Sequence, residues 1–214
     1  MVDLGLPSGL LWADRNVGAE SPEDYGLYFQ WGDTVGYTAD QVTNGEKAFS
    51  TDWSGYFDRT DGGSGSNFNK YASDKLTVLE ASDDAATVHM GDDWRMPNET
   101  EIQELIDNTT LTFIDLQDNE FSQEEALNGA VAQYNFKGAR YTGSNGNSIF
   151  IPASGGYYDS FLEYVAYDCY LWSSDLSSYS SDSAKYLEIN FGGSIGVSGT
   201  ARYEGKPVRA VCNK

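Results

Sequence analysis

Side chains that commonly carry catalysis are scarce in this 214-residue sequence. It contains one histidine, His89, and two cysteines, Cys169 and Cys212. A single imidazole excludes His-rich metal sites and any chemistry that needs two imidazoles. The cysteines form neither a CxxC pair nor a zinc-binding pattern, although they could form one disulfide. Because no phosphate-binding loop, GxSxG or HExxH motif accompanies them, we predict that the protein is not an enzyme.

Carboxylates are the most abundant groups that could do chemistry. The sequence has 33 Asp and Glu against 13 Lys and Arg, a net charge of −20. This charge repels phosphate backbones and anionic lipid headgroups, so nucleic acids and membrane surfaces are excluded as partners. No apolar run approaches the ~18 residues of a membrane-spanning helix. Asp83-Asp84 and Asp92-Asp93 could contribute to a calcium site, but no DxDxDG loop is present. We therefore predict no cofactor and keep calcium as an alternative.

Tyrosine and serine are concentrated towards the carboxyl end of the chain. Residues 157–203 contain eight of the fifteen tyrosines, together with ten serines. The same two residue types dominate antigen-binding loops, where tyrosine offers a rigid amphipathic surface and serine offers adaptable hydrogen bonds. Half-buried strand positions are the alternative, because tyrosine also has a high β-propensity. For Trp172 and Phe191 we favour burial in strands.

Four tyrosines in polar surroundings separate these two interpretations. They are Tyr164, Tyr167, Tyr170 and Tyr179. Their neighbours do not alternate cleanly between polar and apolar, so the pattern leaves both exposure and burial open. An exposed cluster of tyrosines is typical of a binding surface. The recognition hypothesis therefore predicts that these four side chains share one exposed face.

Capping residues predict three helices in the first two-thirds of the chain. Residues 21–32 begin with Ser-Pro-Glu-Asp, an N-cap followed by proline and two acids, and then carry aromatic residues at helical spacing. Asn98 and Glu101 form a capping box ahead of a second apolar stripe. Ser122 and Glu125 give a third and weaker helix signal.

The rest of the chain is predicted to form strands and loops. A Gly- and Ser-rich stretch at 58–69 indicates a long surface loop. Asn145-Gly146 predicts a hairpin turn before a buried strand at 148–151, and residues 153–212 carry no helix signal. The sequence therefore predicts the α+β class, with two main helices packed on a mostly antiparallel, loop-rich β-sheet in a single domain over residues 1–214.

Six segments, taken in order, are similar to a known family. They are DLGLPSGLLWADRNVGA (3–19), SPEDYGLYFQWGD (21–33), WRMPNE (94–99), GNSIFIPASGG (146–156), LWSS (171–174) and VRAVC (208–212). The chain thereby resembles C-type-lectin-fold domains of the Bacteroidetes and phage type, and the resemblance implies the C-type lectin fold. Residues 1–152 would be the scaffold, with insertions at about 36–90 and 110–135.

The family that the chain resembles includes the variable proteins of diversity-generating retroelements. In those proteins a mutagenic reverse transcriptase replaces adenines near the 3′ end of the gene, and the affected side chains lie on the ligand-facing side of the fold. The resemblance implies a variable, ligand-binding region at 153–205. The residues that it places on the contact surface are Tyr158, Asp159, Phe161, Tyr164, Tyr167, Tyr170, Asp175, Tyr179, Asp182 and Tyr186.

The resemblance implies a non-enzymatic domain that recognises a protein or cell-surface ligand, displayed outside the cell or on a virion. A constant structural module of a pilus or phage tail is the alternative, and a relative of formylglycine-generating enzymes is a third possibility. Calcium-dependent sugar binding is not expected, because Met96 stands where a carboxylate ligand should be. Arg15 replaces a cysteine common in relatives, so Cys212 lacks its obvious partner and a Cys169–Cys212 disulfide is left open. Residues 1–12 show no signal-peptide pattern.

Overall fold

Small antiparallel sheets dominate the computed structural model of the chain. The structure describes residues 1–47, 49, 68, 70–71, 75–158 and 161–214. The loop predicted at 58–69 lies outside the described residues except for Phe68, and so does Asp159.

The helices of the described residues are short. They are α1 (Ala39–Thr43), α2 (Ala85–Met90), α3 (Glu99–Asn108) and α4 (Gln123–Leu127). The strands are β1 (Val2–Asp3), β2 (Leu11–Trp12), β3 (Tyr28–Phe29), β4 (Thr109–Asp115), β5 (Glu120–Ser122), β6 (Phe136–Gly143), β7 (Ser148–Pro152), β8 (Ser154–Tyr158), β9 (Phe161–Val165), β10 (Asp168–Leu176), β11 (Ser183–Asn190), β12 (Ile195–Ala201), β13 (Lys206–Pro207) and β14 (Val211–Cys212). In this part of the chain no helix is both long and apolar enough to cross a membrane.

The strands pair in five antiparallel sheets. The strand orders are β5-β4-β6-β7, β10-β11-β12 and β1-β2-β14, with two-stranded ribbons β3-β13 and β8-β9. Trp12 of β2 pairs with both Val2 and Val211, so strands from the two ends of the chain meet in one sheet. Tyr28 pairs with Pro207 in the same way. These pairings join residues that are far apart in the sequence.

The predicted α+β architecture, with two main helices packed on a sheet, is wrong. Strand residues make up 38% of the structure and helix residues 14%, and the helices are four short ones beside several small sheets. Only α3, with ten residues, has the length of an average globular helix. The sequence pattern predicts a helix at residues 21–32, whereas Tyr28 and Phe29 in that segment form strand β3.

The helix predicted over residues 21–32 is therefore also wrong. The Asp24 carboxylate accepts hydrogen bonds from the backbone N–H groups of Glu20 and Ser21, 3.1 and 2.8 Å away, so it closes a turn instead of starting a helix. Gly26 then adopts a φ of +77°, a value that ends helical geometry. The four residues 28–31 are all buried, which suits a buried strand and not an amphipathic helix.

Several local predictions are confirmed. Asn98 caps α3, with the Asn98 and Glu101 side chains each accepting from the other's backbone N–H, and α4 begins after Ser122 with the same arrangement. Residues 145–146 lie in the turn that joins β6 to β7. The helices α1 and α2 were not predicted, although Thr38 and Gln41 form a capping box ahead of α1.

The sheet β10-β11-β12 separates two hydrophobic cores. One face contributes Leu171 and Leu187 to a core shared with Ile102 of α3. Because side chains alternate along a strand, the opposite face carries the residues in between. Trp172 and its neighbours on that face belong to the second core, which also contains Trp31 and Val208.

Candidate functional site

A buried ion pair lies on the second face of the sheet β10-β11-β12. The Lys206 Nζ is 2.7 Å from a carboxylate oxygen of Glu204, and both side chains are almost completely buried. Four aromatic rings surround the ammonium, with centroids at 4.6 Å (Tyr170), 4.7 Å (Tyr186), 5.3 Å (Trp172) and 5.8 Å (Tyr158). Burial lowers the pKa of Lys206, and the adjacent Glu204 opposes that shift. Rings and carboxylate together stabilise a charge that would be costly in an apolar core.

A second buried acid belongs to the same cluster. Asp168 accepts a hydrogen bond from the Tyr170 hydroxyl at 2.6 Å and another from the Asn190 amide at 2.7 Å. Burial raises the pKa of Asp168 to about 6, although both hydrogen bonds oppose the shift. Glu188 also lies on this face, 3.4 Å from the Tyr186 hydroxyl. The face is therefore acidic and aromatic, with Lys206 as the cation in contact with it.

A chain of aromatic contacts runs from this cluster to the surface. The ring of Tyr170 lies 6.3 Å from Tyr164, whose ring is 5.7 Å from Tyr167, and Tyr167 lies 5.3 Å from Tyr134. Phe191 packs under Tyr167 at 4.5 Å. Each ring thus limits the movement of the next, from the buried core outwards.

We define the aromatic patch as four exposed side chains, two from this chain of contacts and two that pair across the β8-β9 hairpin. They are Tyr134 (65% exposed), Tyr158 (36%), Phe161 (68%) and Tyr164 (42%). Tyr134 and Tyr164 adopt φ values of +56° and +63°, and Ala166 follows with +56°. A left-handed conformation costs a non-glycine residue roughly 1–2 kcal/mol, and such strain concentrates at functional sites.

The β8-β9 hairpin positions two members of the patch. Tyr158 pairs with Phe161 across the hairpin, next to the pair formed by Tyr157 and Leu162. Tyr157 is buried against Tyr28, with ring centroids 4.8 Å apart. Successive side chains of a strand point to opposite faces, so the anchoring of Tyr157 turns Tyr158 to the other side.

The structure brings together six of the ten predicted contact residues. Tyr158, Tyr164, Tyr167, Tyr170 and Tyr186 form the connected aromatic cluster described above, and Phe161 is joined to it through β8. Tyr186 and Tyr170 are buried, the latter only 6% exposed, and they support the patch from below. The prediction that Tyr164, Tyr167, Tyr170 and Tyr179 share one exposed face is wrong, because Tyr170 is buried and Tyr179 lies elsewhere.

The other three predicted residues that the structure describes lie at the far end of β10. Tyr179, 93% exposed, follows β10, whose nine residues span roughly 25 Å, and its ring lies 5.9 Å from the Lys185 ammonium. Asp175 accepts from the backbone N–H of Glu99 at 2.6 Å, at the start of α3. Asp182 accepts from the hydroxyls of Ser180 and Ser183. These two acids already have local structural partners.

Sequence reasoning missed three residues of the site. Tyr134 lies 30 positions before Tyr164, and nothing in the spacing connects the two. Glu204 and Lys206 did leave a signal, because residues two apart in an extended segment point to the same side. An acid and a base at that spacing next to a buried strand indicate an ion pair.

The structure also describes the two cysteines and the acidic pair Asp83-Asp84. Cys169 and Cys212 are both buried and free, and burial raises the pKa of both thiols. Asp83 pairs with Lys70 at 2.7 Å, and Asp84 caps α2. Among the residues that the structure describes, no group of three His, Cys, Asp or Glu is placed to hold a metal ion.

A cleft of about 650 Å³ lies away from the patch, on the sheet β5-β4-β6-β7. Ile114 and Phe150 contribute to its apolar lining. Its cations are already paired: Lys137 lies 2.6 Å from Asp118, and Arg140 lies 2.6 Å from Glu120. These pairs leave little unsatisfied charge for a ligand.

The fold and the site together define a β-rich domain that presents a supported aromatic surface. Comparison with protein-family models, curated proteins and solved structures finds no match to this chain. The resemblance to the variable proteins of retroelements therefore stays a prediction.

Proposed function

We propose that this chain is a non-enzymatic recognition domain that binds a protein or cell-surface ligand through the aromatic patch, outside the cell or on a virion. The observation that carries the proposal is the exposure of Tyr134 and Tyr164 at the outer end of a connected aromatic cluster, with the exposed pair Tyr158 and Phe161 on the hairpin that carries Tyr164. Exposed aromatic clusters on soluble domains mark interaction sites, and such residues supply most of the energy at interfaces.

The contacts below the patch support binding by rigid shape. Tyr164 contacts both Tyr167 and Tyr170, so its ring has little freedom to lose when a ligand binds. Aromatic side chains with few rotatable bonds give contact area at low entropic cost. Ordering of side chains is one of the main costs of association, so this preorganisation favours affinity.

We also propose that part of the patch is diversified by a retroelement. Tyr158, Phe161 and Tyr164 lie within the predicted variable region at 153–205. Diversification would act on the exposed members, because a replacement of buried Tyr170 or Tyr186 would disturb the cluster around Lys206. A second copy of the 3′ segment beside the gene, differing only at adenines, is expected; a genome without one would remove this part of the proposal.

Comparison of the gene among isolates tests recognition against the alternative of a pilus or tail module. In such a module the exposed rings would pack against a neighbouring subunit and would stay constant. Recognition predicts that differences between isolates cluster within residues 157–203. An even spread along the chain would favour the structural module.

A further inference from the structure

We infer that the ligand presents a lysine or arginine side chain to the rings of Tyr134 and Tyr164. The inference rests on the proposed function and specifies the chemistry of the partner. It follows from the charges around the patch, from the way in which this chain already binds its own cations, and from the unoccupied rings.

The groups that border the patch carry an excess of negative charge. Glu163 lies on β9 between Phe161 and Tyr164, is exposed and forms no salt bridge within the described residues. Asp168 and Glu188 contact the hydroxyls of Tyr170 and Tyr186 in the cluster that supports the patch, and Glu204 is paired there with Lys206. Among the described residues of the patch and its supporting cluster, carboxylates therefore outnumber cations. An anionic ligand would be repelled here, and a cationic one would be attracted.

Tyr158 and Tyr164 of the patch have raised pKa values, in part because of neighbouring carboxylates. Burial raises the pKa of Tyr164, and Glu163 and Asp168 raise it further because they oppose a second negative charge. Burial and a hydrogen bond with Glu204 raise the pKa of Tyr158 in the same way. Burial disfavours a charge of either sign, but the repulsion from Glu163, Asp168 and Glu204 disfavours only a negative charge and therefore favours an ammonium or guanidinium.

Four cations of the described residues, Lys47, Lys185, Arg202 and Lys206, lie over aromatic rings of the same chain. Lys206 is surrounded by four rings, and the Arg202 guanidinium lies 4.1 Å from the centroid of Phe68 and 4.9 Å from that of Trp31. The exposed Tyr179 has Lys185 over its ring. In the described part of the chain, no Lys or Arg lies over Tyr134, Phe161 or Tyr164. These three rings remain available to a cation from outside.

Two synthetic peptides of identical length provide the probe. One alternates arginine with glycine, and the other replaces each arginine by citrulline, which has nearly the same shape and no charge. Binding is followed by ring-proton chemical shifts at about 0.15 M salt, where long-range attraction to the acidic protein is largely screened. The arginine peptide should shift the Tyr164 and Tyr134 ring signals and bind at least several-fold more tightly than the citrulline peptide.

Single variants locate the contact. Tyr164→Ser and Glu163→Gln should each raise the Kd for the arginine peptide by about two- to fivefold, the range of a single exposed cation–π contact. The matched controls are Tyr179→Ser, an exposed tyrosine at the other end of β10, and Glu124→Gln, an exposed acid on α4. Both controls should leave the Kd unchanged.

Equal binding of the two peptides, or an unchanged Kd in Tyr164→Ser, would overturn the inference. A neutral ligand, such as a sugar, that binds wild type and is lost in Tyr164→Ser would overturn it as well while leaving the recognition proposal intact. An even spread of substitutions among isolates would count against recognition whatever the peptides show.

Discussion

At the scale of single residues, the pair of Lys206 and Glu204 is the feature on which the site depends most. Removing one partner of a buried pair leaves the other charge without compensation. We therefore expect Lys206→Met to lower the free energy of unfolding by about 3–5 kcal/mol, measured by urea denaturation. Lys185 pairs with the half-exposed Glu99 at 3.1 Å, so Lys185→Met should cost about 1 kcal/mol or less.

The double variant Lys206→Met, Glu204→Gln separates charge from packing. Because it leaves no unpaired buried charge, it should recover a large part of the stability that the single variant loses. A double variant as unstable as Lys206→Met alone would show that the loss came from packing against the rings.

Asp168 provides a prediction on the pH dependence of stability. Its pKa in the folded protein is about 6, above the ordinary value of 3.8, so the folded state binds the proton more tightly than the unfolded state does. The contribution of Asp168 to the free energy of unfolding is therefore fully present below about pH 4 and is lost as the pH rises through about 6.

Comparison with Asp168→Asn isolates this contribution from the other titrating acids. The stability of wild type relative to the variant should fall by up to about 3 kcal/mol between pH 4 and pH 7, since two pKa units correspond to about that energy. A difference that stays constant over this range would contradict the assigned burial of the carboxyl.

At the scale of elements, the β8-β9 hairpin depends on a glycine. Gly155 has a φ of +58°, and a Cβ there would overlap with the carbonyl oxygen of Glu163 across the hairpin. Gly155→Ala should therefore destabilise by about 2 kcal/mol or more and disturb Tyr158 and Phe161. Gly146 has a φ of +85° with open space around it, so Gly146→Ala should cost only the backbone strain, about 1 kcal/mol. Equal losses of thermal stability in Gly155→Ala and Gly146→Ala would contradict the close approach of Gly155 to the carbonyl oxygen of Glu163.

Local signals predicted elements well where the element depends on adjacent residues. The capping boxes of α3 and α4 are examples, since Asn98 and Glu101 satisfy each other within one turn. The segment 21–32 failed because its partner is distant in sequence: Tyr28 and Phe29 pair with Pro207 and Lys206. Because strands pair with distant segments in this way, the chain forms several small sheets instead of the predicted α+β architecture.

At the scale of the whole molecule, composition located the site better than it defined its members. The tyrosine-rich region does contain Tyr158, Phe161 and Tyr164 of the patch, but tyrosines on consecutive strands differ in exposure. Tyr170 faces the buried Lys206, whereas Tyr164 in the preceding strand is exposed. Tyr134 joins them from before β6, through a contact with Tyr167 that no sequence pattern signals.

The net charge of −20 and the aromatic patch act together. The charge is spread over the chain and is predicted to repel anionic partners, while the patch concentrates apolar area beside Glu163. A partner with basic side chains gains from both features. We therefore expect the molecule to repel anionic partners over its whole surface and to attract a basic partner at the aromatic patch.

Position-resolved comparison of the gene among isolates tests recognition through a diversified patch most directly. The account predicts that substitutions concentrate at Tyr158, Phe161 and Tyr164, while the supporting Tyr170, Trp172, Tyr186, Glu204 and Lys206 stay constant. Substitutions that fall equally on exposed and supporting positions, or a patch that never varies, would contradict it.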